Sequence, residues 1–178
     1  MAWVSVEKFV EDCRAAAVSG VDAPEKIRGL MEDAVAARDK VLAELPEIDG
    51  DDHEIFVDDT LSIFWVYQYP FVGGPPHDHQ MDVVIGMLKG VEIQKLYRRV
   101  EDRVELVEEL ALHPGDIKQF SGEAVHAIAN PEAERSVALH VYLGNLGKAN
   151  RMMWNMDRTA IQPFDGDVYS KLEYRVQA

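Results

Sequence analysis

Gly73-Gly74-Pro75-Pro76-His77-Asp78-His79, followed at a distance by Gly90, is the stretch on which the fold turns. It sets two imidazoles one residue apart where a Gly/Pro turn hands over to an extended run. Alternate residues of a strand face the same side, so His77 and His79 can reach one metal ion while Asp78 points away. A second histidine element, His126-Ala127-Ile128-Ala129-Asn130, follows in the same strand-rich region. Two such elements predict a barrel with a metal in its mouth.

The surrounding chain supports a barrel behind a helical start. From Val4 to about Val18 the residues Val6, Phe9, Val10, Cys13 and Ala17 recur at helical spacing, with Ser5 placed as N-cap. Asp22-Ala23-Pro24-Glu25 combines a capping residue, a first-turn proline and a capping-box glutamate, and starts a second helix. Its stripe, Ile27, Leu30, Met31, Ala34, Val35, Val41 and Leu42, runs toward Pro46 and reads as packing surface rather than a cofactor site. After Gly50-Asp51-Asp52 the pattern becomes strand-like, at residues 63–67, 83–85, 91–97, 104–107, 117–120, 125–129 and 136–143. The expected class is therefore mainly β, a jelly-roll barrel with two N-terminal α-helices. It is expected as a single domain: helices over 1–50, a barrel core over 54–146, and a segment over 147–178 covering the barrel with Met152, Met153, Trp154 and Met156.

Composition narrows the partners. The chain has 178 residues, 47% of them hydrophobic, enough for one buried core. Its 18 basic and 32 acidic residues give a formal charge of −14, which repels nucleic-acid phosphates and anionic lipid headgroups. Small molecules are the expected partners, with no nucleic acid and no membrane, and the chain is expected to act as a monomer or small homo-oligomer. The start, Met1-Ala2-Trp3-Val4-Ser5-Val6-Glu7, does not read as a signal peptide, and no apolar run is long enough to span a bilayer. One cysteine, Cys13, cannot form an internal disulfide, so a reducing cytoplasm is the expected location.

The histidine spacing resembles the cupin superfamily, whose first motif runs Gly, His-x-His, Glu, Gly and whose second ends in His-x-x-x-Asn. Here the first reads His77-x-His79, Val83, Gly90, and the second His126 to Asn130, its Pro-x-Gly portion reduced to Phe120-Ser121-Gly122. The resemblance implies the cupin double-stranded β-helix. Val83 stands where most cupins carry a glutamate ligand, leaving three neutral histidines, His77, His79 and His126. Without the carboxylate the metal complex is one charge more positive, which favours anionic ligands such as thiolates.

A three-histidine cupin with a downstream histidine and tyrosine is similar to the cysteine dioxygenase type of thiol dioxygenase. That resemblance implies Fe(II), with O2 as co-substrate, and conversion of a small thiol to its sulfinate. The family's Ser-x-His-x-Tyr network corresponds to Ala138-Leu139-His140-Val141-Tyr142, so His140 and Tyr142 match and the serine is missing. No cysteine stands at Val83, so no crosslink to the tyrosine is implied, which resembles the bacterial branch including 3-mercaptopropionate dioxygenases. That branch has a glutamine where cysteine-specific members bind substrate through an arginine, and a C-terminal arginine facing the carboxylate. Between Thr60 and Pro76 this chain has no arginine and Gln68 is the nearest polar candidate, while Arg151 and Arg158 are the available C-terminal candidates. Either arginine equally suits a surface ion pair.

Three imidazoles suit zinc, nickel or copper as well as iron, and a fold hosts many activities. A metal cupin of other chemistry, a lyase, isomerase or carbon dioxygenase, stays open, as does a non-catalytic small-molecule-binding cupin. His53 and His113 read as ordinary histidines outside the site, and Asn130 as a turn residue rather than a ligand.

Overall fold

The computed structural model describes residues 3–46 and 50–176. Residues 1–2 and 177–178, at the ends of the expected domain, and 47–49, at the end of the expected helical region, lie outside the described residues. Helix α1 spans Val6–Ala17, α2 Ala23–Ala36 and α3 Arg38–Ala43. The strands are β1 (Asp52–Val57), β2 (Ser62–Gln68), β3 (Val72–Gly73), β4 (His77–Asp78), β5 (Val83–Lys89), β6 (Glu92–Val100) and β7 (Arg103–Leu112). They continue as β8 (Ile117–Phe120), β9 (Val125–Ala129), β10 (Ser136–Tyr142), β11 (Met152–Trp154), β12 (Ile161–Pro163) and β13 (Tyr174–Arg175), with helix α4 (Gly166–Lys171) before the last.

All pairings are antiparallel. One sheet has the order β1-β2-β10-β5-β8, and the other runs β12-β11-β4-β9-β3-β13 with the β6–β7 hairpin joined to β9. This is the expected mainly β double-stranded β-helix with helices at the N-terminus. Strands β3 and β4 both pair with β9, Gly73 opposite Ala129 and His77 opposite His126. The prolines between them cannot donate to a ladder, so Pro75 and Pro76 interrupt one edge of β9 just before the histidines.

Period-two alternation sorts the five-stranded sheet into two faces. Ile63, Trp65, Val84, Leu88, Val137, Leu139 and Val141 face the helices and pack on Ile27, Met31, Ala34 and Val35. Val83, Ile85, Met87, Ala138 and Tyr142 face the barrel interior. Helix α2 lies so close to β5 that a Cβ on Gly86 would overlap the Met31 sulfur, so a larger residue there would have to displace Met31 and Val35.

Ser5 caps α1 as expected, accepting from Lys8 N at 3.2 Å. Asp22 stands at the N-cap of α2 but makes no side-chain cap bond, because it closes a 3-10 turn that already leads into the helix. The second helical region breaks at Ala37 (φ −103°, ψ 21°) and restarts as α3, which buries Val41 completely. His53, read as an ordinary histidine outside the site, lies in β1 opposite Trp65. The C-terminal segment does more than cover the barrel: β11 and β13 extend its second sheet by pairing with β4 and β3. Met153 and Trp154 are buried there, whereas Met156 is exposed. Among the described residues no helix is long and apolar enough to cross a membrane.

Candidate metal centre

Three histidines meet in the interior because of strand register. His77 on β4 lies directly opposite His126 on β9, and His79 follows two residues on, facing the same side. One ring nitrogen from each falls within 4.8 Å of the others. His126 Nε2 and His79 Nε2 are 3.4 Å apart. Donors bound at about 2.1 Å around one ion stand about 3–3.4 Å from each other, a spacing that the His79–His126 pair already has and that His77 would reach by drawing in.

Their surroundings keep all three neutral, the form in which imidazole is a ligand. Burial, then the positive potential of neighbouring histidines and Arg151, holds His77 and His79 well below the ordinary histidine value. Burial, then Arg151, lowers His126 to about 3. His77 is aimed by a bond from Nδ1 to Pro75 O at 3.2 Å, which reserves Nε2 for the centre. Residues that fit a metal are therefore in place, and the chemistry of three nitrogen donors does not choose among iron, zinc, nickel and copper.

On β10 the inward face carries Ala138, His140 and Tyr142, and His140 Nδ1 lies 2.9 Å from the Tyr142 hydroxyl. The Tyr142 ring stands 4.9 Å from that of His79, edge to face, so the pair borders the histidine cluster. Burial, then His126, lowers His140 to about 3, and burial raises the Tyr142 phenol above its ordinary value. Both are neutral near pH 7.

A cavity of about 370 Å³ opens onto this cluster. Gln68, His140, Tyr142 and Arg151 line it, together with Phe164 and Tyr169 from the C-terminal segment. Arg151 arrives there because β11 is tied to β4: Met153 pairs with His77, and Met152 N donates to Asp78 Oδ1 at 2.8 Å. Its Nε donates to Asp78 O at 3.1 Å, and its guanidinium stacks 3.7 Å above the Phe164 ring. Burial draws the Arg151 value down while Tyr142 and Asp78 oppose the shift. Gln68 lines the cavity with its amide donating to Val72 O at 3.3 Å.

Arg158 does not join them. It lies exposed in the turn between β11 and β12 with φ 63°, where its backbone closes the turn, so of the two arginines only Arg151 reaches the cavity. Asn130 acts as a turn residue, its amide bonded to Gln68 O and Glu134 O and its oxygen accepting from Glu132 N.

Several residues at the site carry little signature in the sequence. Tyr169 sits 5.3 Å from the His77 ring and passes so near Gly74 that a Cβ there would overlap its hydroxyl. Gln94 Oε1 accepts from His126 Nδ1 at 2.7 Å, and Gln94 Nε2 donates to Glu92 Oε1 at 2.5 Å. Burial pushes Glu92 up to about 7, against the bond from Gln94. The one available signal is a pair of polar residues, Glu92 and Gln94, on alternate positions of a strand.

No family model matches the chain. Among solved structures, a cupin superfamily protein of Desulfitobacterium hafniense is similar at 18% identity over 58% of this chain and 88% of that one, TM-score 0.47. An uncharacterized conserved protein with a double-stranded beta-helix domain from Klebsiella pneumoniae is similar at 14% identity over 62% and 85%, TM-score 0.48. An oxalate decarboxylase of Lactobacillus farciminis, in complex with formate, is similar at 18% identity over 59% of this chain and 32% of that one, TM-score 0.46.

Proposed function

We propose that the protein is a non-haem iron thiol dioxygenase that converts a small thiol acid to its sulfinate. The observation that carries the reading is the hydrogen-bonded His140–Tyr142 pair standing against a cluster of three neutral histidines in one cavity. His77, His79 and His126 would hold the iron, which when bound supplies thiolate affinity and activation of O2. The overall change, RSH + O2 → RSO2H, places both oxygen atoms on sulfur, which gives up four electrons as O2 takes them.

The protein's own part is orientation and protonation. Arg151 offers the N–H groups left over from its bond to Asp78 to the substrate carboxylate, in the fork geometry that carboxylates match. Gln68 bounds the same space, and Phe164 keeps the guanidinium in plane by stacking. His140 Nδ1–H donates to the Tyr142 oxygen, which frees the tyrosine proton to point into the cavity and hydrogen-bond the reacting sulfur or oxygen. Binding thiol and O2 side by side replaces an encounter of free species.

Protein loaded anaerobically with Fe(II) is mixed with O2 and 3-mercaptopropionate, cysteine or cysteamine, while O2 uptake and sulfinate formation are recorded. Stoichiometric uptake and sulfinate with a thiol acid support the reading. Background uptake with all three thiols overturns it.

A further inference from the structure

We propose that Gln94, pinned by Glu92, is a positioning residue that fixes the ring and tautomer of His126 for metal binding. The inference rests on the reading of His77, His79 and His126 as a metal site. It concerns two side chains on β6 that touch neither the cavity nor the metal position.

Strand β6 pairs with β9 so that Leu96 faces His126 and Gln94 faces Ile128. Gln94 therefore sits on the inward face one inward position along from the strand partner of His126. Glu92, Gln94 and His126 are 1%, 0% and 2% exposed, and polar groups buried to that degree destabilise unless their hydrogen bonds are made. The chain of bonds is directional. The Gln94 amide presents its NH2 to Glu92 Oε1 and its carbonyl oxygen to His126 Nδ1. In that arrangement the carbonyl oxygen accepts from His126, which carries its proton on Nδ1. Its Nε2 lone pair is then left facing His79 Nε2.

A purely structural role fits poorly. Glu92 Oε2 is buried with no hydrogen-bond partner among the described residues, and an apolar side chain of similar volume would pack there without that cost. His77 gets its orientation from a backbone carbonyl, whereas His126 depends on this side-chain pair. Partners behind a ligating histidine set ring orientation and donor strength, and their loss commonly weakens metal affinity by about 10- to 100-fold. A neutral amide rather than a carboxylate behind His126 also keeps the ligand set uncharged.

The test uses Co(II) as the probe, titrated into the metal-free protein against a competing chelator, with the Co(II) absorption bands recorded. Gln94→Leu is expected to weaken Co(II) binding about 10- to 100-fold. The swapped variant Glu92→Gln/Gln94→Glu keeps size and hydrogen-bonding order, with the amide at position 92 now donating to the carboxylate at position 94. It is expected to bind Co(II) within about tenfold of wild type and, because a carboxylate now polarises His126, to shift the Co(II) bands. Circular dichroism and thermal melts of the metal-free proteins check folding, and if Gln94→Leu does not fold the swapped variant decides. Wild-type affinity in folded Gln94→Leu, or an unshifted spectrum in the swapped variant, overturns the proposal. Failure of the wild type itself to bind Co(II) removes the metal-site reading beneath it, a result distinct from either.

Discussion

His140 Nδ1 lies 2.9 Å from the Tyr142 hydroxyl, while His140 Nε2 is buried without a hydrogen-bond partner among the described residues. Ala138 precedes His140 by two residues on the same inward face and is 1% exposed, so a hydroxyl placed there enters the same buried space as the unpaired nitrogen. Ala138→Ser is expected to raise stability by about 1 kcal/mol, the net worth of one new hydrogen bond. In a chain of this size that is a rise in melting temperature of about 2–4 °C. An unchanged or lower melting temperature would show that the hydroxyl does not meet the ring.

The tyrosine itself is testable by deletion of one atom. Tyr142→Phe keeps the ring beside His79 and removes the donor that the proposed reaction uses. Turnover of thiol is expected to fall about 100-fold with KM little changed, the pattern of a group used in the transition state. Steady-state O2 uptake distinguishes this from a rise in KM alone, which would place the hydroxyl in substrate binding.

The histidine cluster is legible in the sequence for a local reason. His77 and His79 share a face by strand alternation, and their spacing to His126 repeats a two-element pattern, so register needs only to bring β4 onto β9. The apolar stripes of the helices are legible for the same reason, although the break at Ala37 carries no glycine or proline to mark it. Arg151, Phe164 and Tyr169 depend instead on where a chain end docks. Nothing local separates Arg151 from Arg158; the Met153–His77 pairing and the Asp78 bonds do so, and they join residues more than 70 positions apart. Gln94 leaves only a faint mark because its strand alternates weakly, with Ile93 and Lys95 on the other face.

Arg151 is expected to choose among thiols by their acid group. Arg151→Lys keeps the charge but loses the planar fork. For 3-mercaptopropionate KM is expected to rise about 10- to 100-fold, corresponding to about 1.5–3 kcal/mol for a lost charged hydrogen bond. Cysteamine, which has no carboxylate, should be affected little. Equal losses for both thiols would show that the substitution disturbs the cavity rather than a carboxylate contact.

Neutral buried histidines also make the metal-free protein acid-sensitive. His126 and His140 are lowered to about 3 in the folded chain, against an ordinary value near 6.5. Below about pH 6.5 the unfolded chain takes up protons that the folded chain refuses, so stability is full above that pH and is lost as pH falls toward the folded value. Each histidine contributes a slope of up to about 1.4 kcal/mol per pH unit in that window. Urea melts between about pH 7.5 and 5 should show the loss in wild type and a shallower slope in His140→Gln. Parallel slopes would mean that His140 is protonated in the folded state.

Asp78, which points away from the metal position, is expected to control it from behind. Its carboxylate is fully buried and accepts from Met152 N at 2.8 Å, Gln80 Nε2 at 2.8 Å and the Arg99 guanidinium. Those bonds hold β11 against β4, and Arg151 is anchored on the same residue through the backbone oxygen. Asp78→Ala leaves Arg99 and the Met152 N–H without their partner. Removing one member of a buried pair costs about 3–5 kcal/mol, and the lower end applies because Arg99 is 38% exposed and can regain water. Asp78→Asn retains one oxygen for Met152 N and should cost less. If the clasp positions Arg151, Asp78→Asn should also raise KM for 3-mercaptopropionate while leaving Co(II) affinity within about threefold of wild type, well inside the 10- to 100-fold expected for a lost ligand partner. A fall in Co(II) affinity with KM unchanged would instead assign the clasp to His77 and His79.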